Sequence, residues 1–158
     1  MLKYFNKLKL KIMKIDINGV SITLTKEQLK EIDKQVKNIK TIDDINSYKD
    51  ACDILGKLML DESDFEDKED WNNHQLRIII KAVNFLDNDN KIWKADFLDK
   101  NVSKYINYFE RKNSGWVFVC VDVRYCYSYF AVGFYFKNEV SAEIIGKRFL
   151  KLYDNVLG

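Results

Sequence analysis

The chain has 158 residues, of which 47% are hydrophobic and 32% are charged, proportions typical of a soluble globular protein and unlike those of disordered or collagen-like chains. This length suits a single domain, which we assign to residues 1–158, and allows a core without disulfide or metal staples. Because 26 basic residues face 24 acidic ones, the formal net charge of +2 excludes an overall field that would draw the chain to nucleic acid or a membrane.

Cysteine and histidine usage predicts an intracellular protein. Cys52, Cys120 and Cys126 are odd in number and lack Cys-x-x-Cys spacing, so we expect reduced thiols and no disulfide. One histidine is too few for most metal sites, so neither a metal nor another cofactor is expected. The longest apolar run, residues 116–121, is too short to span a bilayer. Lysines interrupt the start of the chain, which argues against a signal peptide. We therefore expect a cytoplasmic location and no membrane partner.

A hairpin followed by a helix is predicted near the start of the chain. Alternating apolar residues flank an Asn-Gly pair at 18–19, the pair that a type I′ turn favours, so residues 13–24 should form two strands with Ile17 opposite Val20. A Thr-x-x-Gln capping box then begins an amphipathic helix over residues 26–40.

Three more helices are predicted from caps and apolar spacing, at residues 48–55, 71–86 and 139–156. Cys52 lies on the apolar face of the first of these and is expected to be a small core residue. Gly146 lies inside the last helix, where glycine is unfavourable, so we expect it to permit close approach to the sheet or to a partner.

The acidic run at residues 61–70 and the single histidine are the polar features between these helices. The acidic run does not match an EF-hand, because it lacks glycine at the sixth position and glutamate at the twelfth. A solvated loop is the preferred interpretation and a cation site the alternative. His74 has no Cys, His or Glu at ligand spacing, so a surface or half-buried histidine is favoured over a catalytic base.

The C-terminal half is rich in aromatic residues. In residues 91–112, rings alternate with polar residues, and we expect irregular or partly helical structure there. Residues 115–123 and 125–137 are β-branched and aromatic, which predicts two strands. The expected fold class is α+β, with an antiparallel sheet that contains the N-terminal hairpin and the C-terminal strands and packs with about four helices.

Two stretches of the chain resemble motifs of a known family. Residues 93–109 contain Trp-Lys-x-Asp-Phe, Asn, Lys-Tyr and Tyr-Phe, and residues 132–153 contain Val-Gly, Phe-Lys-x-Glu, Ala-Glu, Gly-Lys-x-Phe and Leu-Tyr. With these motifs the chain from Met13 onward is similar to a family of small proteins from Bacteroides-type gut bacteria and their phages and prophages. The resemblance implies no activity. It implies that Met13 matches the usual start, with residues 1–12 as an N-terminal extension.

Three classes of function are weighed. The chain lacks nucleophile-elbow, P-loop, dinucleotide-binding and zinc signatures, so no catalytic residue is assigned, although a carboxylate-based hydrolase would leave no such signature. The preferred interpretation is a non-enzymatic, phage-type structural or accessory interaction protein with a protein partner, in the virion or in the host.

The alternative is a module that binds single-stranded nucleic acid through residues 91–112. Aromatic rings interleaved with cations are the combination that stacks bases and contacts phosphates, whereas rings in a core with lysines at the surface would have the same composition. The candidate binding residues, for nucleic acid or another partner, are Trp93, Lys94, Phe97, Lys104, Tyr105, Tyr108 and Arg111.

Overall fold

The structure is a computed structural model that describes residues 13–17, 20–37, 40–124 and 134–158. It describes the side chains of residues 24–31, 40–124 and 134–158. The chain divides into two compact units, Met1–Lys40 and Thr41–Gly158, and the organisation as one domain stays a prediction. The proposed N-terminal extension, residues 1–12, lies outside the described residues.

The first unit contains the predicted hairpin and helix. Strands β1 (Met13–Ile17) and β2 (Val20–Leu24) pair antiparallel, with Ile17 opposite Val20 as expected. The predicted Asn-Gly turn between them lies outside the described residues. Helix α1 (Lys26–Lys37) begins with the predicted capping box, in which Gln28 Oε1 accepts from the N–H of residue 25 at 2.9 Å. Residues 38–39, where the prediction continued the helix, are not described.

The second unit begins with a short helix, α2 (Tyr48–Leu55), whose two ends match the prediction. Ser47 caps its start by accepting a hydrogen bond from Asp50 N at 3.2 Å. Gly56 ends it with φ 60°, a left-handed conformation that glycine adopts without strain. Cys52 is buried in the core, as predicted.

The next helix, α3 (Lys68–Leu86), begins three residues earlier than the predicted 71–86. The reason is Asp67, whose side chain accepts a hydrogen bond from Asp70 N at 2.8 Å and so caps the helix. Negative charge in a first helical turn is favourable because it faces the positive end of the helix dipole. The acidic run at 61–70, expected as a loop, therefore also supplies the start of a helix.

A second antiparallel hairpin consists of β3 (Lys104–Lys112) and β4 (Gly115–Arg124). The sequence predicted β4 but not β3, and the expectation of irregular or partly helical structure throughout 91–112 was wrong for its second part. The overlooked signal was the turn: Asn and Ser connect the strands, and Gly115 has φ 113°, which favours glycine. Pairing with β4 across this turn makes the segment a strand.

The α+β class is confirmed, with the strands arranged differently from the prediction. The described strands form two separate two-stranded sheets, and not one sheet containing both hairpins. The predicted strand at 125–137 falls mainly on residues 125–133, which are not described. Phe136, beyond that gap, forms an isolated antiparallel bridge with Tyr105 of β3.

The C-terminal helix is divided in two. The sequence predicted one helix over 139–156, whereas the structure has α4 (Glu139–Arg148) and α5 (Leu150–Leu157), separated at Phe149. Neither glycine nor proline marks the break in the sequence. Phe149 ends α4 by donating its N–H to the carbonyl of Ile145, and beyond it α5 packs against α3 and β4.

Buried side chains from α2, α3, the β3–β4 hairpin, α4 and α5 form the core of this unit. Its members include Ile45, Tyr48, Ala51, Cys52, Leu76, Ile79, Val83, Phe109, Phe136, Ala142, Ile145 and Tyr153. Ring contacts add to the packing, because Phe109 lies 4.4 Å from Tyr153 and 5.8 Å from Phe118, measured between ring centroids.

A buried amide on α3 connects that helix to the segment that follows the gap. Asn84 Nδ2 donates to the carbonyl of Tyr135 at 2.8 Å, and Asn84 Oδ1 accepts from Lys137 N at 2.8 Å. Between those two residues, Phe136 exchanges both backbone hydrogen bonds with Tyr105, at 3.0 and 2.8 Å. One side chain therefore fixes the backbone on both sides of the bridge to β3.

The single histidine lies in an aromatic cluster between α2 and α3, where its half-buried position confirms the prediction. His74 stacks on Trp71 with an interplanar angle of 12° and has its ring centroid 4.9 Å from that of Phe65. Its Nε2 is 3.2 Å from the Tyr48 hydroxyl, which accepts a hydrogen bond from Leu60 N. Because that hydroxyl proton is available for Nε2, neutral imidazole fits the cluster.

Gly146 should tolerate no larger residue, since a Cβ there would lie 2.7 Å from Phe118 Cδ2 and 2.8 Å from Asn107 Nδ2. We expect Gly146→Ala to lower the free energy of unfolding, because overpacking costs about 1 to 3 kcal/mol and outweighs the roughly 1 kcal/mol helix preference for alanine. Urea denaturation measures the change. The control Val140→Ala, at an exposed site on the same helix, should stay within about 0.5 kcal/mol of wild type. A more stable Gly146→Ala protein would contradict the close packing.

His74 should make the stability depend on pH. Burial, followed by the positive charges of Lys81, Lys57 and Arg77, lowers the pKa of His74 in the folded protein. The unfolded chain therefore takes up this proton first, and stability should fall as the pH drops below about 6.5 toward the lowered pKa. Unfolding free energies between about pH 5 and 7 test this, with His74→Gln as a control that keeps a polar partner for Tyr48 without titrating. Equal pH dependence in both proteins would contradict the assignment.

Candidate interaction surface

Three of the seven predicted site residues, Trp93, Lys94 and Phe97, lie in a long connection from α3 to β3, residues 87–103, which we call the display loop. It contains no helix or strand, and connections this long without regular structure are uncommon in compact domains and are often functional. Its first turn uses Asp89 and Asn90 at φ 52° and 58°, residue types that tolerate the left-handed conformation. Asn88 Nδ2 closes this turn by donating to the carbonyl of Lys91 at 3.1 Å.

Aspartate side chains fix the second half of the display loop. Asp96 Oδ1 accepts hydrogen bonds from Leu98 N at 2.9 Å and from Asp99 N at 3.3 Å, and Asp99 Oδ1 accepts from Asn101 N at 2.9 Å. These are local side-chain-to-backbone turns, which Asp and Asn form readily. They satisfy backbone groups that have no helix or strand partner.

The buried side chain of Lys104 also holds the backbone of the display loop. It is fully buried, and its Nζ donates to the carbonyls of Asp99 at 2.6 Å and Val102 at 2.9 Å, while the ring of Phe97 lies 5.9 Å away. A buried ammonium is stable only when its hydrogen bonds are made. Lys104 was predicted to contact phosphate or a partner, but the buried ammonium holds the loop and is not presented to solvent.

The predicted site residues that lie in the display loop differ in exposure. Lys94 is exposed, and Trp93 is partly buried but does not belong to the core cluster. Phe97 is partly buried against Tyr135, with a centroid separation of 5.1 Å in an edge-to-face arrangement. The loop therefore uses one of its two predicted rings for internal packing.

The remaining predicted residues lie on β3 and do not form one face. Tyr105 is bound through its backbone to the Phe136 segment and packs partly against the core. Tyr108 is 54% exposed. Arg111 lies over the ring of Trp116 at 5.6 Å and donates to the terminal carbonyl at 3.1 Å. Because Tyr108 and Arg111 are three residues apart on a strand, their side chains project to opposite faces.

Sequence reasoning missed the most exposed apolar residues of the loop. Ile92 is 79% exposed, Leu98 is 80% exposed, and Val102 is 41% exposed. The neighbours of these three residues in the sequence are mainly Asp, Asn and Lys, and the three do not recur at helical or strand spacing. That lack of periodicity was the signal that could have predicted their exposure. The loop thus holds large aliphatic side chains in water on a hydrogen-bonded frame.

Other kinds of site are less developed in the part of the chain that the structure describes. Cys52 is buried and Cys120 is exposed as free thiols, while Cys126 lies in the undescribed segment. Within the described residues, no group of three or more His, Cys, Asp or Glu side chains could hold a metal ion. None of the helices in the same residues is both long enough and apolar enough to cross a membrane.

Comparisons with known proteins give no further guide to this surface. No protein-family model, no curated protein and no solved structure matches this chain. The family resemblance of residues 93–109 and 132–153 therefore stays a prediction from the motif residues.

Replacing the buried lysine should loosen the display loop. Lys104→Met keeps an apolar stem of similar length but removes the donors to two carbonyls, and hydrogen bonds to charged groups contribute about 1.5 to 3 kcal/mol. We expect a loss of unfolding free energy on that order and faster amide hydrogen exchange in residues 98–103. Lys94→Met, at an exposed site in the display loop itself, is the matched control and should change little. Unchanged exchange in Lys104→Met would show that the ammonium does not hold the loop.

Proposed function

We propose that this protein is a non-enzymatic interaction protein that binds a protein partner through the display loop, residues 87–103. The observation that carries the proposal is the exposure of Ile92 and Leu98, at 79% and 80%, on a loop whose backbone is fixed by side-chain hydrogen bonds. Binding residues are disproportionately found on loops that a rigid scaffold positions, and Ile92 and Leu98 give this loop two large apolar side chains for a partner to bury.

The fixed backbone makes these side chains effective anchors. Binding is weakened when a loop must be ordered on contact, and a loop already held in one conformation avoids much of that entropic cost. The frame here includes Asp96, Asp99 and buried Lys104, all bonded to loop backbone. The partner that fits is a protein surface with apolar hollows for Ile92 and Leu98 and with acidic groups near the exposed Lys94.

The proposed biological setting follows from the sequence resemblance. The run at residues 93–97, which carries part of the likeness to proteins of Bacteroides-type bacteria and their phages, lies in the display loop. We therefore place the protein as a phage-type structural or accessory factor, with a virion or host protein as partner. The proposed location is the cytoplasm of the bacterial host or the virion.

Binding of single-stranded nucleic acid is the second candidate, favoured by exposed Tyr108 and exposed Lys94. Three contacts argue against it. The Lys104 ammonium is buried, Phe97 is packed against Tyr135, and Arg111 is occupied by Trp116 and the C-terminal carbonyl. A stacking platform needs rings and cations on one open face, and these residues do not share one.

Photo-crosslinking tests the proposed surface. A photoreactive amino acid replaces Leu98 in one protein and the exposed Val140 of α4 in the control, and each is illuminated in lysate of a Bacteroides-type bacterium and with purified phage particles. We expect a protein cross-linked from position 98 but not from 140. Excess unlabelled wild-type protein should abolish the cross-link, whereas the Ile92→Ser/Leu98→Ser variant should compete at least about tenfold more weakly, the effect of removing one hot spot.

Equal competition by wild type and the double variant, or no specific cross-link, would contradict the loop as the contact surface. A labelled single-stranded oligonucleotide in fluorescence anisotropy tests the alternative. Salt-dependent binding that is weakened by Tyr108→Ala, with unchanged melting temperature, would favour the nucleic-acid function instead.

A further inference from the structure

Residues 92–98 of the display loop form a segment in which side-chain exposure alternates. Every second residue is exposed, namely Ile92, Lys94, Asp96 and Leu98, and the residues between them are half-buried. This alternation is typical of extended backbone, whose successive side chains point to opposite sides. On the half-buried side, Phe97 packs against Tyr135. The segment therefore lies along the surface of its own unit, with one side in contact and the other in solvent.

The backbone of this segment has unused hydrogen-bonding groups. Within the part of the chain that the structure describes, no backbone N–H or carbonyl of residues 92–97 makes a hydrogen bond. The bonds that hold the loop begin on either side, at the Lys91 carbonyl and at Leu98 N. A row of unpaired backbone groups on an extended, accessible segment is a template for a strand of another chain.

The sequence of the segment is complementary to itself when two copies run antiparallel. If Ala95 lies opposite Ala95, a single register forms the pairs Lys94–Asp96, Trp93–Phe97 and Ile92–Leu98, each of them twice. Opposite charges and large apolar side chains that face each other across antiparallel strands are stabilising. A register centred on Lys94 or on Asp96 would instead bring two like charges together, so the sequence favours the register centred on Ala95.

We propose that a second copy of this chain binds the display loop by antiparallel pairing of residues 92–98, which gives a symmetric dimer with its twofold axis at Ala95. A twofold contact uses the same patch on both copies, so it requires a self-complementary surface. The proposal rests on the proposed function of the loop as a protein contact surface and names one protein that occupies it. Any other partner of the loop would compete with the second copy.

The side chain of Asp96 can hold its own loop and contact the second copy at the same time. It closes the turn through Oδ1, which accepts from Leu98 N and Asp99 N. Its other carboxylate oxygen, Oδ2, takes no part in that turn and is available to the Lys94 ammonium across the axis. The pairing therefore leaves the hydrogen bonds that hold the loop unchanged.

The expected dimer is weak and reversible. An isolated two-stranded ribbon is only marginally stable in water, but each strand of this ribbon has one side packed on its own unit. The turn after Asp96 limits the ladder to a few residues, and small contacts are typical of transient association. We expect a dissociation constant on the order of 0.1 mM.

Sedimentation velocity of the purified full chain, at concentrations up to about 1 mM, tests the dimer. Wild type should change from monomer to dimer over this range. Lys94→Glu places two carboxylates opposite each other in both charged pairs and should weaken dimerisation about fivefold or more. The matched control is Lys151→Glu, which makes the same charge change at an exposed site on α5 and should dimerise like wild type.

A mixture of two variants tests the register. Asp96→Lys places two ammonium groups opposite each other, so it should also be mainly monomeric by itself. Mixed with Lys94→Glu, it restores opposite charges in both pairs, and the mixture should form a heterodimer about as strong as the wild-type dimer. Circular dichroism establishes that each variant is folded. If Asp96→Lys disturbs its turn, wild type and Lys94→Glu still decide.

Three results would overturn the proposal: wild type that stays monomeric at about 1 mM, Lys94→Glu that dimerises as well as Lys151→Glu, or folded variants that fail to form the heterodimer. A monomeric purified chain, together with another protein cross-linked from position 98, would exclude self-pairing and retain the loop as a contact surface. A monomeric chain without any specific cross-link would remove both the self-pairing and the proposed function.

Discussion

The second unit depends on the buried amide of Asn84. Its two polar atoms bond to backbone groups on either side of Phe136, and the backbone of Phe136 is bonded to β3. A single side chain thus connects the longest helix to the strand whose other edge pairs with β4. The Lys137 ammonium donates to Asn88 Oδ1 at 2.6 Å, which connects the start of the display loop to the segment that Asn84 binds. The hydrogen bonds around residues 135–137 therefore position α3, β3 and the display loop relative to one another.

Buried polar groups recur in this unit where regular structure is absent. The Asn84 side chain bonds the backbone of residues 135 and 137, where a neighbouring strand would otherwise do so. The Lys104 ammonium bonds two loop carbonyls that take no part in a helix or strand. Each is nearly or fully buried, so its hydrogen bonds form in an environment where an unmade bond would be expensive. This explains how a loop of 17 residues keeps one backbone course without a helix or a strand.

Local signals in the sequence were sufficient for part of the fold. Caps and an Asn-Gly pair identified the first hairpin, α1 and α2, because hydrogen bonds between near neighbours form these ends. The strand β3, the break at Phe149 and the burial of Lys104 depend on partners far along the chain or on packing, which spacing does not reveal. Gly146 is the exception, since a glycine inside a helix correctly indicated a close approach to β3 and β4. For the candidate surface, the sequence drew attention to the aromatic and basic residues of 91–112, a segment that overlaps the display loop, whereas the exposed aliphatic residues stand out only in the structure.

The display loop has a further property that follows from how it is held. Most of its hydrogen bonds join residues two to five positions apart and use Asp, Asn and Lys side chains. The apolar residues Ile92 and Leu98 take no part in these bonds through their side chains, so framework and contact residues are separate sets within one short segment. If the proposed function holds, substitution at Ile92 and Leu98 would change what the loop binds without removing the hydrogen bonds that hold its backbone. Binding specificity would then be able to evolve separately from the fold of this segment.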